Sequence, residues 1–376
     1  MRIAIIGAGV SGVILGSLLK KNFKCELTIF EKRSKIFDNT NGIQLSPNSI
    51  KILELLNFKE ILKKEDYLII NKLIVRDLYS QKLLSEIILN FKNLNNYITI
   101  DRSVLLKKFF DYYRLFENFK NIEVQSIDYE TNEVFLNNQK LKYDFIFLCD
   151  GIFSKLKKNT ELNNLIFTGL YALRGTFFNT NNDYNINLYL GNNEHFVNYR
   201  LNNLNKDKYN FVWIINKKFK NDKLNINGYD KKDEKLIKLF FEKFKKKFDF
   251  FKKISNINVW PIYKNKKIVF GKKNVIYIGD SSHGFIPSRA QGASQAIEDA
   301  YHSFKLLKSG NLSTKNLNKA RFKRIKKIIK KSENTIIIYH LTNKLLKGIR
   351  NLVLGCTSKS KIFSLILNKS IFSNKL

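Results

Sequence analysis

The chain has 376 residues, 44% of them hydrophobic and 26% charged, the balance of a globular protein with more than one core and not of a disordered polymer. Lys and Arg number 67 against 32 Asp and Glu, a formal net charge of +35; the lysines run along the whole chain with Asn, Ile and Phe, so they read as a solvated basic surface, and a nucleic-acid partner is not expected. Cys25, Cys149 and Cys356 are odd in number and lack CxxC spacing, which excludes a disulfide framework and a zinc site, and no apolar run approaches the ~20 residues that span a bilayer.

The first element is the β-branched run of residues 2–6. It meets Gly7-Ala8-Gly9-Val10-Ser11-Gly12, then a helical pattern through Leu15, Leu18 and Leu19, then a second strand over residues 26–30 ending at Glu31. In such a βαβ unit the first glycine permits the tight turn, the second lets backbone approach a pyrophosphate, and the third lets helix and strands pack closely. Glu31 falls about 20 residues after the last glycine, where a carboxylate accepts hydrogen bonds from a ribose. Gly7, Gly9, Val10, Ser11, Gly12, Glu31 and Lys32 are therefore candidate nucleotide contacts. Only one GxGxxG is present, and alone it does not separate FAD from NAD.

Residues 51–63 show helical spacing and residues 69–75 read as one strand. Residues 121–142 alternate around an Asn-Asn turn as a hairpin leading to a buried strand over 143–149. Residues 169–263 read mainly as antiparallel strands with one basic helix around 233–248. A last buried strand over 274–278 runs into Gly279-Asp280, and a helical region begins at Gln291. Beyond residue 310 basic residues alternate with apolar clusters such as Thr335-Ile336-Ile337-Ile338-Tyr339 and Ile362-Phe363-Ser364-Leu365-Ile366-Leu367. Packing onto the rest of the chain or a dimer partner, and peripheral contact with an anionic membrane, are both open there.

Two further segments carry a family resemblance. Cys149-Asp150-Gly151-Ile152-Phe153-Ser154-Lys155-Leu156-Lys157 and Gly279-Asp280-Ser281-Ser282-His283-Gly284-Phe285-Ile286-Pro287-Ser288-Arg289-Ala290-Gln291-Gly292-Ala293 resemble the DG and GD motifs of the group A flavoprotein aromatic hydroxylases, the p-hydroxybenzoate hydroxylase-like FAD monooxygenases. The departures are Lys157 for the usual Arg, Ala290 for Gly, and Ser281-Ser282 for paired alanines. Smaller matches are Gly42-Ile43-Gln44-Leu45-Ser46-Pro47-Asn48, Asp101-Arg102-Ser103-Val104-Leu105, and Phe167-Thr168-Gly169-Leu170-Tyr171-Ala172-Leu173-Arg174-Gly175. The last resembles the salicylate and 3-hydroxybenzoate hydroxylase branch.

The resemblance implies an α/β fold. It consists of a Rossmann-like FAD-binding domain of the GR2 type over 1–72, 98–168 and 266–310 and an inserted, mainly antiparallel substrate domain over 73–97 and 169–265; the resemblance covers roughly residues 1–310, and the C-terminal region over 311–376 reads as helical from its own pattern. It implies FAD contacts at Gln44, Arg102, Asp150, Gly151, Gly279, Asp280, Gln291, Gly292 and Ala293, with Pro287 in the flavin-proximal loop. It further implies NADH or NADPH as a transient donor, O2, a small aromatic substrate and a C4a-hydroperoxyflavin that hydroxylates the ring. His195 is a candidate base for a phenol and Arg289 a candidate partner for a substrate carboxylate; His283 is expected to pack or cap beside the cofactor loop. No metal site is expected, the location is expected to be cytoplasmic, and monomer and homodimer stay open. The competing readings are an FAD dehydrogenase or reductase of the same fold and a non-catalytic basic binding protein; the lack of a Trp-x-Trp-x-Ile-Pro segment argues against a halogenase.

Overall fold

A computed structural model describes residues 1–37, 41–90, 96–157, 165–179, 183–202, 208–216, 234–245, 248 and 254–372, with the side chains of 255–256 and 367–372 left out. Parts of the expected substrate domain and residues 373–376 of the helical region lie outside these.

One sheet has six strands in the order Gly271–Lys272, Val275–Tyr277, Phe145–Leu148, Arg2–Ile6, Glu26–Phe30 and Phe119–Lys120. Its pairs are parallel except for the edge hairpin. Both faces are covered, which is why the first strand reads as an unbroken apolar run. Ile3 and Ile5 pack with Val13 of the Val10–Asn22 helix and Ile297 of the Gly292–Lys308 helix. Ala4 and Ile6 pack on the other side with Val134 of a small antiparallel sheet and with Tyr129 of its first turn.

The second sheet has seven strands in the order Ile254–Asn265, Leu165–Phe178, Lys208–Asn216, Glu194–Arg200, Asn185–Leu190, Lys72–Asp77 and Leu83–Ile88. All pairs are antiparallel but one, Asn185–Leu190 with Lys72–Asp77. The pleat sorts alternate residues. Phe196, Phe211 and Trp213 meet Phe240 and Phe244 of the Glu234–Phe244 helix, whereas Val212 and Ile214 point to the opposite face. A three-stranded sheet is formed by Gly42–Leu45, Ile98–Asp101 and Tyr67–Ile69.

Three expectations are corrected. The single strand over 69–75 is two, Tyr67–Ile69 and Lys72–Asp77, in different sheets; Ile70 and Asn71 change partners at the crossing, donating to Tyr97 and Tyr184 carbonyls. A continuous apolar run carries no mark of which partner each half pairs with. The helix over 51–63 divides into Pro47–Glu54 and Phe58–Ile61 because Asn57 is left-handed at φ 58°, a conformation asparagine tolerates. The hairpin over 121–142 is a three-stranded meander, with Ser126–Asp128 added to Glu133–Phe135 and Lys140–Lys142; its extra turn uses left-handed Asn132.

The Gly292–Lys308 helix carries Glu298 and Asp299, both fully buried. Arg321 of the Thr314–Tyr339 helix is equally buried and bridges them, its Nε donating to Asp299 Oδ1 at 2.7 Å and its Nη1 to Glu298 Oε2. Arg324 Nε donates to Glu298 at 2.6 Å, and the Gly279 amide and His283 Nε2 meet Asp299 Oδ2 at 2.9 and 2.6 Å. Burial alone would push the Asp299 carboxyl up, but His283 and Arg321 hold it well below the usual range. Arg321→Ala removes the fully buried cation shared by the two carboxylates, leaving Arg324 to Glu298 and His283 to Asp299, and the expected cost is about 3–5 kcal/mol, read as a fall in the urea midpoint. A loss under about 1 kcal/mol would show the network to be dispensable.

Candidate active site

A single cavity of about 1030 Å3 runs from the glycine loop, past Gln44 and the 287–293 loop, to the C-terminal helices. Ordinary small-molecule sites occupy about 300–1,000 Å3, so this one stands at the top of that range, with room for a large ligand.

At its first end the turn is built by missing side chains. Gly7 has φ +105°, and a Cβ there would lie 2.6 Å from the Cys149 carbonyl oxygen; a Cβ on Gly12 would lie 2.0 Å from the Gly7 carbonyl oxygen. The Val10–Asn22 helix therefore starts hard against its own loop. Gly9 caps it without a side-chain bond, and no acid occupies its first turn, so its free amides and positive dipole end face the cavity. Glu31 receives the Ala8 amide on Oε2 at 2.9 Å and the Arg33 amide on Oε1 at 3.0 Å, fixing the loop from below.

Arg102 opens the helix Arg102–Tyr112, which Asp101 caps by accepting from the Ser103 amide at 2.9 Å. This start sets the guanidinium over the glycine loop, with Nη2 3.7 Å from where a Gly9 Cβ would stand. Arg102 makes no ion pair among the described residues, and burial lowers its pKa. An enclosed cation that makes no salt bridge among the described residues, beside free helix amides, is a cradle for a diphosphate. Asp150 and Asp280 flank it. Burial pushes the Asp150 carboxyl up to about 6 against the opposing pull of Ser154 and Lys157, and enclosure likewise raises Asp280, against His283, Arg102 and Arg174.

The middle of the cavity is polar. Ser46 and Gln291 join the strand loop to the 287–293 loop, Gln291 Nε2 donating to Ser46 Oγ at 3.0 Å. Tyr97 donates to Gln44 Oε1 at 2.7 Å, and Tyr199 to the Gly42 carbonyl at 3.0 Å. Arg174 Nε is buried without a hydrogen-bond partner among the described residues. Arg289 donates to Thr335 Oγ1 at 3.2 Å. Ala290 takes φ +51°, a left-handed conformation natural to the Gly of related motifs and strained for Ala.

His195 stands on the cavity side of its strand with Nδ1 2.8 Å from Nε2 of His340. Burial, then the neighbouring His340, holds the His195 pKa well below the ordinary value, and burial lowers His340 to about 4. The pair is thus neutral near neutral pH. One nitrogen donates and the other accepts, so His195 is anchored by a partner that lies 145 residues away.

Of the candidate residues, Gly7, Gly9, Val10, Ser11, Glu31, Lys32, Gln44, Arg102, Asp150, Gly151, His195, Asp280, Pro287, Arg289, Gln291, Gly292 and Ala293 all line this cavity. Gly12 and Gly279 do not: Gly12 packs behind the loop and Gly279, at φ +66°, is held by Asp299. Lys157 is buried beside a second, smaller hollow formed with Asp128 and Glu130, away from the main cavity. Tyr97, Tyr339 and His340 escaped the sequence reasoning as site residues. They sit in unremarkable segments, and only the sheet and helix packing brings them to Gln44, Arg289 and His195.

No protein-family model matches the chain. It is similar to the chloroplastic zeaxanthin epoxidase of Prunus armeniaca, 26% identical over 187 residues, which are 48% of this chain and 27% of that protein; the chain thus spans well under two thirds of that relative's length. Among solved structures it resembles Klebsiella pneumoniae HpxO complexed with FAD and uric acid, at TM-score 0.78 and 15% identity over 99% of this chain and 97% of the other. It also resembles the p-nitrophenol 4-monooxygenase PnpA of Pseudomonas putida DLL-E4, at TM-score 0.80 and 13% identity over 100% and 98%.

Because both imidazoles fold with depressed pKa values, their stabilisation is complete above the free histidine value of about 6.5 and is lost as pH falls towards about 4. Chemical denaturation at about pH 7 and about pH 5 should show this fall, and His340→Gln should shrink it by about 1–2 kcal/mol. An undiminished pH dependence in the variant would remove the pair from the account.

Proposed function

We propose that this chain, folded as the p-hydroxybenzoate hydroxylase-like flavoproteins are, is an FAD-dependent monooxygenase that uses NADH or NADPH and O2 to hydroxylate an aromatic or quinone-precursor small molecule. The observation that carries it is Arg102, an enclosed guanidinium with no ion pair among the described residues, set over Gly9 and the uncapped helix amides. In one continuous cavity with it lie Glu31 at the ribose end and Gln44, Pro287 and Gly292 at the ring end. This is the donor and acceptor sequence that an FAD presents along its length.

Glu31, Lys32 and the loop amides would hold the adenosine and diphosphate. Asp280 would take the ribitol hydroxyls, with Asp150 and Gly151 beside them, and Gln44, Gln291, Gly292 and Ala293 would border the ring. When bound, FAD supplies hydride acceptance from the nicotinamide and the activation of O2. The remaining work falls to the chain. Aliphatic walls exclude water, Arg289 and Arg174 attract a phenolate or carboxylate, and neutral His195 accepts a hydrogen bond from a phenol at its free nitrogen while His340 fixes the ring. The uric acid of HpxO and the nitrophenol of PnpA are polar rings of the class these groups suit.

The purified protein should be yellow or take up FAD to give the flavin absorption bands. Arg102→Ala should weaken that binding about 10- to 100-fold. Oxidation of NADH or NADPH should rise with a phenolic substrate and yield hydroxylated product. Colourless protein that cannot be reconstituted would sink the proposal, and cofactor oxidation indifferent to every ring compound would favour a reductase.

A further inference from the structure

The last two helices, Lys344–Cys356 and Lys361–Phe372, present an apolar face to solvent. Leu345 is 73% exposed, Leu352 68%, Ile362 72% and Ile366 67%, a cluster larger than the scattered apolar residues of an ordinary monomer surface. Leu345, Ile349 and Leu352 recur at helical spacing, so the face is one stripe. The helices are not loosely placed. Ser358 Oγ and Ser364 Oγ accept from the Glu86 and Ile88 amides at 3.0 and 3.1 Å, and Arg350 donates to the Ile338 carbonyl. The stripe therefore points outward from a fixed scaffold.

Two observations say what covers it. The first is charge: after Glu333 the sequence has no acidic residue, and exposed Lys344, Lys359 and Lys361 stand at the ends of these helices. A second copy would add an equally basic face with no acid to pair these lysines, whereas anionic headgroups neutralise them. No described helix is long and apolar enough to cross a membrane, and helices of 13 and 12 residues with basic flanks suit the plane of the interface. The second is continuity. Leu346, Ile349 and Val353 are about half exposed, at 48%, 52% and 54%, yet also line the cavity. They form its mouth. Inward from them one wall is mainly aliphatic, with Val197, Leu188 and Val75 of the seven-stranded sheet; His195 and Arg289 interrupt it, and Tyr199, Arg174 and Gln44 lie among the polar groups beyond.

We infer that this face seats the protein on an anionic lipid bilayer, and that the substrate is an amphiphile, a polar ring carrying an apolar tail, which enters from the bilayer between these helices. The ring end rests on the proposed hydroxylase; the tail and the docking do not. With the head at Arg174 and Tyr199, the tail lies along the aliphatic wall and leaves through the mouth into lipid.

The test uses the full chain. Flotation with phosphatidylcholine vesicles containing phosphatidylglycerol should carry the protein upward in a salt-sensitive way, and Leu345→Glu with Leu352→Glu should lower the bound fraction at least about tenfold while circular dichroism and the melting temperature stay those of the parent. In calorimetry, 4-alkylphenols should gain about fourfold in affinity per added methylene, and Val353→Trp should remove that gain while sparing phenol itself. Vesicle binding unchanged by the double variant, or a stable dimer that the same variant dissolves, would overturn the docking. Affinity independent of tail length would overturn the substrate class. Protein that takes up no FAD but still floats and still senses tail length would sink the hydroxylase and leave this inference standing.

Discussion

The buried charge cluster of Glu298, Asp299, Arg321, Arg324 and His283 is the joint on which the site depends. Asp299 holds the Gly279 amide, and so fixes the turn that aims Asp280 into the cavity. Glu298 receives Asn48 Nδ2 at 2.5 Å, and Asn48 follows the strand that carries Gln44. Arg321 ties both acids to the long helix whose end supplies Thr335, Tyr339 and His340. Taking such charges out of water costs several kcal/mol for each ion, and the mutual pairing and hydrogen bonds offset that only when every partner is in place. The cluster is thus an all-or-nothing specification of where four elements meet.

The chemistry of the cavity follows from the pleat of the seven-stranded sheet. Along Glu194–Arg200, His195, Val197 and Tyr199 face the cavity, while Glu194 and Phe196 face the opposite layer. There Glu194 meets Trp213 Nε1 at 2.8 Å, Tyr79 at 2.8 Å and Lys243. A strand that looks uniformly buried therefore carries two unrelated environments, one for ligand and one for packing. A one-residue slip in register would exchange them, and the aromatic stacking of Phe196, Phe211 and Phe240 opposes that slip.

What the sequence made legible is local. The glycine loop, Glu31, and the segments around Asp150 and Asp280 each carry their geometry within a few residues, because positive φ and close backbone approach leave only glycine. The partners of those segments are not local. Nothing near Gln44 points to Tyr97, nor anything near His195 to His340, and Arg321 looks like one more basic residue in a lysine-rich helix. The strand break at Ile70 and Asn71 was hidden for a related reason: β propensity reports an extended chain and not the sheet it joins. Lys157 shows the opposite case, a residue named by its motif whose side chain the packing turns away from the cavity.

The two serine bonds that fix the C-terminal helices also close an edge. Without Ser358 and Ser364 the amides of Glu86 and Ile88 would stand open on the outermost strand of the larger sheet, a template for another chain. Their partners come 272 and 276 residues later. Synthesis at about 5–20 residues per second leaves that strand waiting for many seconds before its cover exists, so the edge stays open throughout that interval. The order of translation thus makes an early edge strand depend on residues made far later, and makes protection of the nascent edge a requirement of its biosynthesis.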